Sequence, residues 1–237
     1  MNLLLLLPDD QLENDRFAVT GRRFQHIREH LKLEAGATLR AGLLDGPLGK
    51  ALIESVAHDR LTLTFTPGQA PPVPTDIILL LALPRPKMLK RILVDTTTLG
   101  IKRIILLNSF KVEKSYWSTP ELHASLLQEK LLLGLEQAGD TRLPTLQLEK
   151  RFKPFVEDTL PALCAGRKKL LAHPGDHPFF PAGINMPAVV AIGPEGGWTD
   201  YERDGFLQAG FRCHSLGQRI LRVETAVPAL LGRLLRG

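Results

Sequence analysis

The sequence predicts an α/β protein with a parallel sheet, preceded by a small β-rich module. From Asp76 onward, short apolar runs alternate with helical segments, which is typical of parallel strands covered by helices on both faces. Before about residue 66, short runs alternate between apolar and polar residues instead, as in half-exposed strands. Prolines and glycines separate the two parts. We therefore predict one domain over residues 1–68 and a second over residues 75–237.

The N-terminal module is clearest at its last strand. Leu61, Leu63 and Phe65 alternate with threonines there, so one face is buried and the other hydrated. The leucine-rich start has no preceding basic residues and is stopped by Pro8, so we interpret it as a strand and not as a leader. The predicted elements are strands over Leu3–Leu7, Thr38–Leu44, Lys50–Val56 and Arg60–Thr66, and a helix over Gly21–Leu31.

A semi-rigid linker is predicted at the end of this module, because proline and glycine rarely continue a sheet. The residues that predict it are Pro67, Gly68, Pro71, Pro72 and Pro74. The second domain then follows. Its predicted helices cover Lys87–Leu99 and Glu121–Gln137, and its predicted strands cover Ile77–Ala82, Ile104–Leu107, Thr145–Leu148, Leu170–Ala172 and Val189–Ile192.

Composition narrows the class of protein. The 237 residues are 44% hydrophobic and 23% charged, which is typical of a soluble globular protein, and no apolar run is long enough for a membrane span. The net charge of +5 favours an anionic partner such as nucleic acid; a mildly basic enzyme without such a partner is the alternative. Cys164 and Cys213 are too few for a disulfide framework, so we expect reduced thiols in a cytoplasmic protein without a metal site.

The candidate site lies in the stretch from Val189 to Leu231. A glycine-rich turn, Gly193–Gly197, allows a ligand to approach the main chain closely. Thr199 and Glu202 have the spacing of a capping box that starts a helix, and Gly210 is placed to end it. Because ligands of parallel sheets bind beyond the carboxyl ends of the strands, three turns are expected to meet in one crevice, although such turns also occur as simple connections. They are Ala172–Gly175, Gly193–Gly197 and Leu216-Gly217.

Two segments carry a family resemblance. Ile192-Gly193-Pro194-Glu195-Gly196-Gly197, followed by Leu216–Ala226 (LGQRILRVETA), resembles the signature of the bacterial 16S rRNA uridine N3-methyltransferases. These belong to the SPOUT class, so the resemblance implies a C-terminal trefoil knot, an N-terminal PUA-like RNA-binding domain and a homodimer. It also implies S-adenosylmethionine as methyl donor and 16S rRNA of the small ribosomal subunit as substrate. Weaker matches lie at His26-Ile27, Gly36, Asp45-Gly46, Leu99-Gly100, Glu136–Gly139 and His173-Pro174.

The sequence departs from the family pattern at several positions, and two of them, Thr98 and Asp140, leave an alternative open. Thr98 stands where the family usually has glutamate, Asp140 where it has arginine, and Val223 where it has threonine. A non-catalytic RNA-binding protein of ribosome assembly that keeps the fold is therefore a second hypothesis. A third is a nucleotide-binding enzyme that holds phosphate in the glycine turn, but the sequence lacks both common phosphate-loop patterns.

Position in the second turn and the chemistry of methyl transfer suggest roles for individual residues. In the second turn, Glu224 is the candidate acceptor of the uridine N3 proton, and Arg222 the candidate for stabilising developing negative charge or holding an RNA phosphate. Alternatively, Glu224 only stabilises a helix N-terminus, Glu195 only closes its own turn, and His173 is only a turn residue. The expected cofactor-binding residues are Ala172, His173, Ile192, Gly193, Pro194, Glu195, Gly196, Gly197, Leu216, Gly217, Ile220, Leu221, Arg222, Thr225 and Ala226. The expected RNA-binding residues are Arg22, Arg23, Arg28, Arg85, Lys87, Lys90 and Arg91.

Overall fold

The computed structural model describes residues 2–235, which form two compact units. The first unit contains residues 2–73 together with Leu131–Leu143, and the second contains residues 74–130 and 144–235. The chain thus passes from one unit to the other close to the predicted linker. The segment Leu131–Leu143, however, was predicted to belong to the second domain and lies in the first unit.

A five-stranded sheet forms the first unit, in the order β1-β3-β4-β5-β2. β1 and β3 are parallel and the other neighbours are antiparallel. Leu61, Leu63 and Phe65 are buried, as their alternation predicts. The strands are β1 (Leu4–Leu6), β2 (Arg16–Thr20), β3 (Thr38–Leu43), β4 (Leu48–Val56) and β5 (Arg60–Gln69), and helix α1 (Gly21–His26) continues as a π-helical turn over Ile27–Leu31.

The predicted linker is wrong at its start, because β5 continues through Pro67 and Gly68 to Gln69. Pro67 pairs with Gly49 of β4 on one side. On the other side β2 pairs only with Arg60–Thr64, so the missing N–H of the proline is tolerated at this unpaired end. Of the predicted linker, only residues 70–74 lie outside a strand.

The first unit contains two apolar clusters, and the smaller one explains why Leu131–Leu143 belongs to it. The larger cluster lies between the sheet and α1 and includes Phe17, Phe24 and Phe65. The smaller one joins Leu3 and Leu5 of the N-terminal segment to Leu135. In addition, the Glu136 carbonyl accepts the N–H of Leu3 (3.1 Å). Burial of Leu135 therefore ties this segment to the sheet.

The second unit contains a six-stranded sheet in the order β11-β9-β10-β6-β7-β8, with every pair of neighbours parallel. This confirms the predicted parallel α/β sheet. All five residues of β10 are buried, as expected for a central strand covered on both faces. The strands are β6 (Thr75–Ala82), β7 (Ile101–Leu107), β8 (Thr145–Glu149), β9 (Lys168–Ala172), β10 (Ala188–Ile192) and β11 (Arg212–His214).

The helices agree with the local sequence signals. Thr199 and Glu202 form the predicted capping box at the start of α6, and Gly210, with φ of 88°, follows its end. Both cysteines are free, and burial raises the pKa of each thiol. No helix in residues 2–235 is long and apolar enough to cross a membrane. The helices are α2 (Pro86–Thr98), α3 (Ala124–Ala138), α4 (Phe152–Pro154), α5 (Leu160–Cys164), α6 (Asp200–Gln208) and α7 (Val223–Leu234).

Candidate functional site

A pocket lies at the carboxyl ends of β9, β10 and β11. These strands end at Ala172, Ile192 and His214, and the loops that follow them line a space of about 720 Å³, including its open mouth. The three turns that the sequence predicts to converge therefore do meet.

Most of the residues expected to bind a cofactor line this pocket. Gly196, Arg222 and Thr225 do not. The residues brought together are Ala172, His173, Ile192, Gly193, Pro194, Glu195, Gly197, Leu216, Gly217, Ile220, Leu221 and Ala226. Sequence reasoning missed seven further lining residues: Pro174, Trp198, His214, Ser215, Arg219, Val223 and Leu230. Five of these are directly adjacent to predicted residues, so only their position next to the turns signalled them; His214 and Leu230 are not adjacent to any predicted residue.

The glycine turn is shaped by Trp198. A Cβ atom added at Gly193 would lie 3.2–3.3 Å from the Trp198 indole, so the ring packs directly against the glycine backbone. Gly197 has a φ of 69° and donates its N–H to the Pro194 carbonyl (2.8 Å), which closes the turn. Both positions therefore favour glycine, one for space and one for conformation.

Neighbouring loops hold the glycine turn in place. The Glu195 carboxylate accepts the backbone N–H of Arg85 (3.1 Å), at the start of α2. It therefore does not close its own turn, which was one interpretation of this residue. The Lys111 ammonium donates to the Gly196 carbonyl (2.8 Å), and the Phe110 N–H donates to Glu202 (2.8 Å). The loops after β6 and β7 thus fix the turn from two directions.

The second turn is anchored by Ser215. Its hydroxyl donates to the His177 carbonyl (3.2 Å) and accepts the N–H of Gly217 (3.4 Å), whose φ is 98°. Downstream, the side chain of Ile220 is 83% exposed. This turn therefore presents uncovered backbone and an apolar side chain at the mouth of the pocket.

Among the residues that the structure describes, two buried polar atoms lining the pocket have no hydrogen-bond partner: Trp198 Nε1 and His214 Nδ1. Burial, with a smaller contribution from nearby Lys168, lowers the pKa of His214 and favours its neutral ring. An unsatisfied buried polar group costs free energy, which a polar ligand recovers by bonding to it. His173 has its Nδ1 2.7 Å from the Pro174 carbonyl, a local contact that fits a turn residue.

A basic groove adjoins the pocket. We use this name for the channel between Arg85, Lys87 and Arg91 on one side and Arg222 and Glu224 on the other. The Arg222 guanidinium lies 4.0 Å from the Glu224 carboxylate, and these side chains are 86% and 22% exposed. Five residues line both the groove and the pocket: Pro194, Glu195, Ile220, Leu221 and Val223.

Glu224 also lies in the first turn of α7, where a carboxylate interacts favourably with the helix N-terminus. The two candidate catalytic residues therefore lie together in the groove, beside the pocket and not inside it.

The residues predicted to bind RNA separate into two groups. Arg85, Lys87 and Arg91 line the basic groove, whereas Lys90 pairs with Glu121 (2.7 Å). In the first unit, Arg22 makes two bonds to the buried Glu136 (2.8 and 2.9 Å).

Arg23 corrects the prediction most clearly. It makes two bonds to Asp10 (2.5 and 2.7 Å) and one to the Leu5 carbonyl (2.7 Å), and its side chain is only 12% exposed. Because Asp10 is buried and little of the Arg23 side chain is exposed, this arginine neutralises an internal carboxylate and presents little surface to RNA. Arg28 remains at the surface, donates to the His58 carbonyl (3.1 Å) and lies over the Phe24 ring.

The described residues contain no cluster of candidate metal ligands. Within residues 2–235, no group of three or more histidine, cysteine, aspartate or glutamate side chains is arranged to hold a metal ion.

The family model and the similar proteins all point to RNA methyltransferases. The chain matches an RNA methyltransferase domain family over residues 71–235. It is 34% identical over 217 residues to the ribosomal RNA small subunit methyltransferase E of Treponema pallidum, covering 87% of this chain and 80% of that relative. The protein of the same description from Synechocystis is 28% identical, with 97% of this chain and 76% of the relative covered.

Solved structures show the same fold. A methyltransferase of Legionella pneumophila, in complex with the bound cofactor SAM, has a TM-score of 0.76 at 22% identity, covering 98% of this chain and 95% of that one. The ribosomal RNA small subunit methyltransferase E of Neisseria gonorrhoeae, bound to S-adenosyl methionine, has a TM-score of 0.74 at 20% identity and the same coverage. The chain thus has the α/β fold of these methyltransferases.

Proposed function

The chain belongs to the ribosomal RNA small subunit methyltransferase E family of RNA methyltransferases, and we propose that it transfers a methyl group from S-adenosylmethionine to N3 of a uridine in 16S rRNA. One observation carries this proposal. The pocket and the basic groove share Pro194, Glu195 and Ile220 among their lining residues. A methyl donor in the pocket and an anionic substrate in the groove would therefore meet at a common wall.

The pocket residues suit S-adenosylmethionine, which combines an apolar ring system with several polar groups. Leu216, Ile220 and Leu221 offer apolar walls, and the glycine turns expose backbone for hydrogen bonds. The unpartnered Trp198 Nε1 and His214 Nδ1 are two further polar atoms that such a ligand would satisfy. When bound there, the cofactor supplies an electrophilic methyl group.

The groove supplies the chemistry on the substrate. Uridine N3 must lose its imide proton before or during attack, so a nearby base is required. Glu224 is partly exposed in the groove, and we assign it the role of accepting that proton. Arg222 stabilises the negative charge that develops on the uracil ring, and Arg85, Lys87 and Arg91 hold RNA phosphates. Much of the rate enhancement then comes from holding the two reactants aligned.

The finer fold assignments belong to the same proposal. We infer a SPOUT trefoil knot in the second unit. The loop after β9 bonds at Phe180 to Ser215 (2.8 Å) and at Gly183 to Arg233 in α7 (2.9 Å). α7 also packs against α2, as expected of a C-terminal segment tucked under a loop. In the first unit, five strands and one helix support the PUA-like RNA-binding assignment.

The proposal also includes a homodimer in the cytoplasm, where the rRNA substrate is made. Ile220 is 83% exposed and Leu221 37% exposed at the mouth of the pocket, so a second copy that covered them would complete the site. Sedimentation of the purified protein tests this part independently of activity.

Two measurements test the reaction. Nucleoside mass spectrometry of 16S rRNA from cells with and without the protein is expected to show one 3-methyluridine lost when the protein is absent.

For the purified protein, Glu224→Gln and Arg222→Ala are each expected to lower turnover about 100-fold or more, while calorimetry shows retained cofactor binding. Glu157→Gln, an exposed carboxylate outside the site, is the matched control. An unchanged nucleoside profile would refute the reaction, and near-normal turnover of both variants would refute the assigned roles.

A further inference from the structure

A second pair of grooves flanks the exposed ring of Phe110, in the loop after β7. Phe110 is 87% exposed and lines both grooves, together with Asn108 and Ser109. The first groove is also lined by Tyr201, whose side chain is 64% exposed, and the second by Trp117. Phe110 therefore lies between the two grooves, and each groove contains another aromatic residue.

The backbone beneath this ring is well anchored. The Phe110 N–H donates to the buried Glu202 carboxylate (2.8 Å), and the Asn108 N–H donates to the Glu149 carbonyl (2.8 Å). Trp117 Nε1 donates to the Asn108 side chain (2.8 Å). The exposed ring of Phe110 is thus presented by a fixed loop, which lowers the entropy lost when a ligand binds.

The floor of the grooves carries an unused polar group. Ser109 lines both grooves and is 3% exposed, and its buried hydroxyl has no hydrogen-bond partner among the described residues. A ligand with a polar edge and a flat face would satisfy this hydroxyl while it packs against the aromatic rings.

The charges around the grooves favour an anion. Lys153, with its side chain 64% exposed, lines the first groove, and Lys114 and Lys150 line the second. Of the nearby carboxylates, Glu202 is buried and fully bonded, and Glu113 accepts the Tyr116 hydroxyl (3.2 Å). Glu157 lies 3.8 Å from the Lys153 ammonium at the surface and offsets part of that charge, so Lys114 and Lys150 carry most of the positive charge. Lysine is depleted from the centres of protein interfaces, whereas aromatic rings with surrounding lysines are the usual surface for single-stranded nucleic acid.

We propose that these grooves bind two neighbouring bases of single-stranded RNA, one against each face of Phe110, with their phosphates near the lysines. This rests on the proposed function and adds a substrate contact to it. The loop is joined to the candidate active site, because Lys111 Nζ donates to the Gly196 carbonyl (2.8 Å). Bases held here would therefore flank the target uridine and help to present it unstacked.

Fluorescence anisotropy with a labelled oligouridylate of about ten nucleotides, within the usual range of single-strand sites, tests the stacking directly. Phe110→Ala is expected to weaken binding about 10-fold or more, because the ring on which both bases stack is lost. Phe110→Trp is expected to retain wild-type affinity. Leu207→Ala, an exposed apolar residue of α6 outside the grooves, is the control. An abasic oligomer of equal length is expected to bind wild type and Phe110→Ala equally.

Photo-crosslinking with 5-iodouridine in the same oligomer locates the bases. Crosslinks to Phe110 or Tyr201 support the proposal, whereas crosslinks found only elsewhere overturn it. Equal oligomer affinity of Phe110→Ala and wild type also overturns it. So does an altered sedimentation coefficient of Phe110→Ala with unchanged RNA binding, because that result assigns the surface to a second copy. Lack of rRNA methylation by the wild type, with Phe110-dependent binding intact, refutes the proposed reaction and leaves the stacking site standing.

Discussion

At the residue scale, Gly217 shows how one backbone conformation shapes the pocket. Its φ of 98° is unfavourable for any residue with a Cβ atom, and an added Cβ would lie 3.5 Å from the Phe179 ring. We expect Gly217→Ala to lower S-adenosylmethionine affinity about 10-fold and stability by about 1–2 kcal/mol, measured by calorimetry and urea denaturation.

Gly232→Ala is the matched control for that substitution. Gly232 lies within α7, and nothing lies within 4 Å of an added Cβ. Alanine is the better helix former, so this change is expected to stabilise the protein by about 0.5–1 kcal/mol and to leave cofactor affinity unchanged. Equal losses of affinity in both variants would contradict the assigned role of Gly217.

The buried Arg23–Asp10 pair makes a second prediction at this scale. Removal of one partner leaves the other charge buried and unpaired, which typically costs about 3–5 kcal/mol. We therefore expect Arg23→Ala to lower the free energy of unfolding by about 3 kcal/mol. The double variant Arg23→Met, Asp10→Leu should recover much of that loss, since it leaves no unpaired charge. RNA affinity at matched folded concentration should not change; a specific loss of RNA binding would restore Arg23 to the RNA-binding set.

Single residues also show what sequence can and cannot predict. The capping box of Thr199 and Glu202 was predictable because its partners are three positions apart and belong to one helix start. The bond of Glu195 to Arg85 was not, because the partners are far apart in sequence and only the folded sheet brings them together. Arg23 is a similar case. Its charge suggested a surface role, but its partner Asp10 lies on another element.

At the scale of elements, α2 presents its cations in two environments. Lys87 and Arg91 are four residues apart and so share a helix face, which lines the basic groove. Lys90 pairs instead with Glu121. The periodicity of the sequence predicted the helix, but the direction of each face depends on packing against β7 and α7.

This arrangement predicts a difference in salt dependence. For single strands, each phosphate contact contributes about 0.7 to the slope of log K against log salt concentration. Lys87→Ala with Arg91→Ala is therefore expected to reduce that slope by about 1.4 for rRNA fragments, measured by filter binding. Lys90→Ala is the control. Because the Lys90 ammonium is paired with Glu121 in the native protein, this substitution should alter the slope much less. Equal effects of all three substitutions would contradict the assignment of the groove.

Short or irregular elements were the ones that sequence reasoning missed. β11 has only three residues, too few for a periodic signal, and takes its conformation from pairing with β9. β2 lies close to turn-forming residues and is defined by its pairing with β5. By contrast, β6 and β10 were predicted because continuous burial demands an apolar run. Local pattern therefore found the core strands and failed where tertiary pairing decides.

At the scale of the whole molecule, the parallel sheet was predictable but its strand order was not. β10 lies between β6 and β9, so its neighbours come from distant parts of the sequence. The convergence of three turns followed from a general rule on parallel sheets. The basic groove did not, because it combines α2 with the start of α7.

Acid stability is expected to reflect two histidines, one in each unit. Burial lowers the pKa of His26 and of His214 from the ordinary value of 6.5. The unfolded chain then binds more protons than the folded one as the pH falls below 6.5, so unfolding becomes easier until both folded histidines are charged. Urea denaturation between about pH 7.5 and about pH 5 should show this decline.

Histidine substitutions separate this cause from general acid effects. His26→Gln and His214→Gln are each expected to flatten the decline, while the exposed His58→Gln serves as the control. A decline of unchanged steepness in all three variants would assign the acid sensitivity to carboxylates instead.

The first unit has a consequence for the order of events during synthesis. It consists of residues 2–73 and Leu131–Leu143, with part of the second unit between them in sequence. A chain emerging from the ribosome therefore cannot bury Leu3 and Leu5 against Leu135 until the later segment has been translated, several seconds after the five strands. During that interval the leucine face of β1 is open to water. A fragment that ends at Val73 would retain this open face permanently, which makes nascent chains stalled in that interval natural clients for a chaperone.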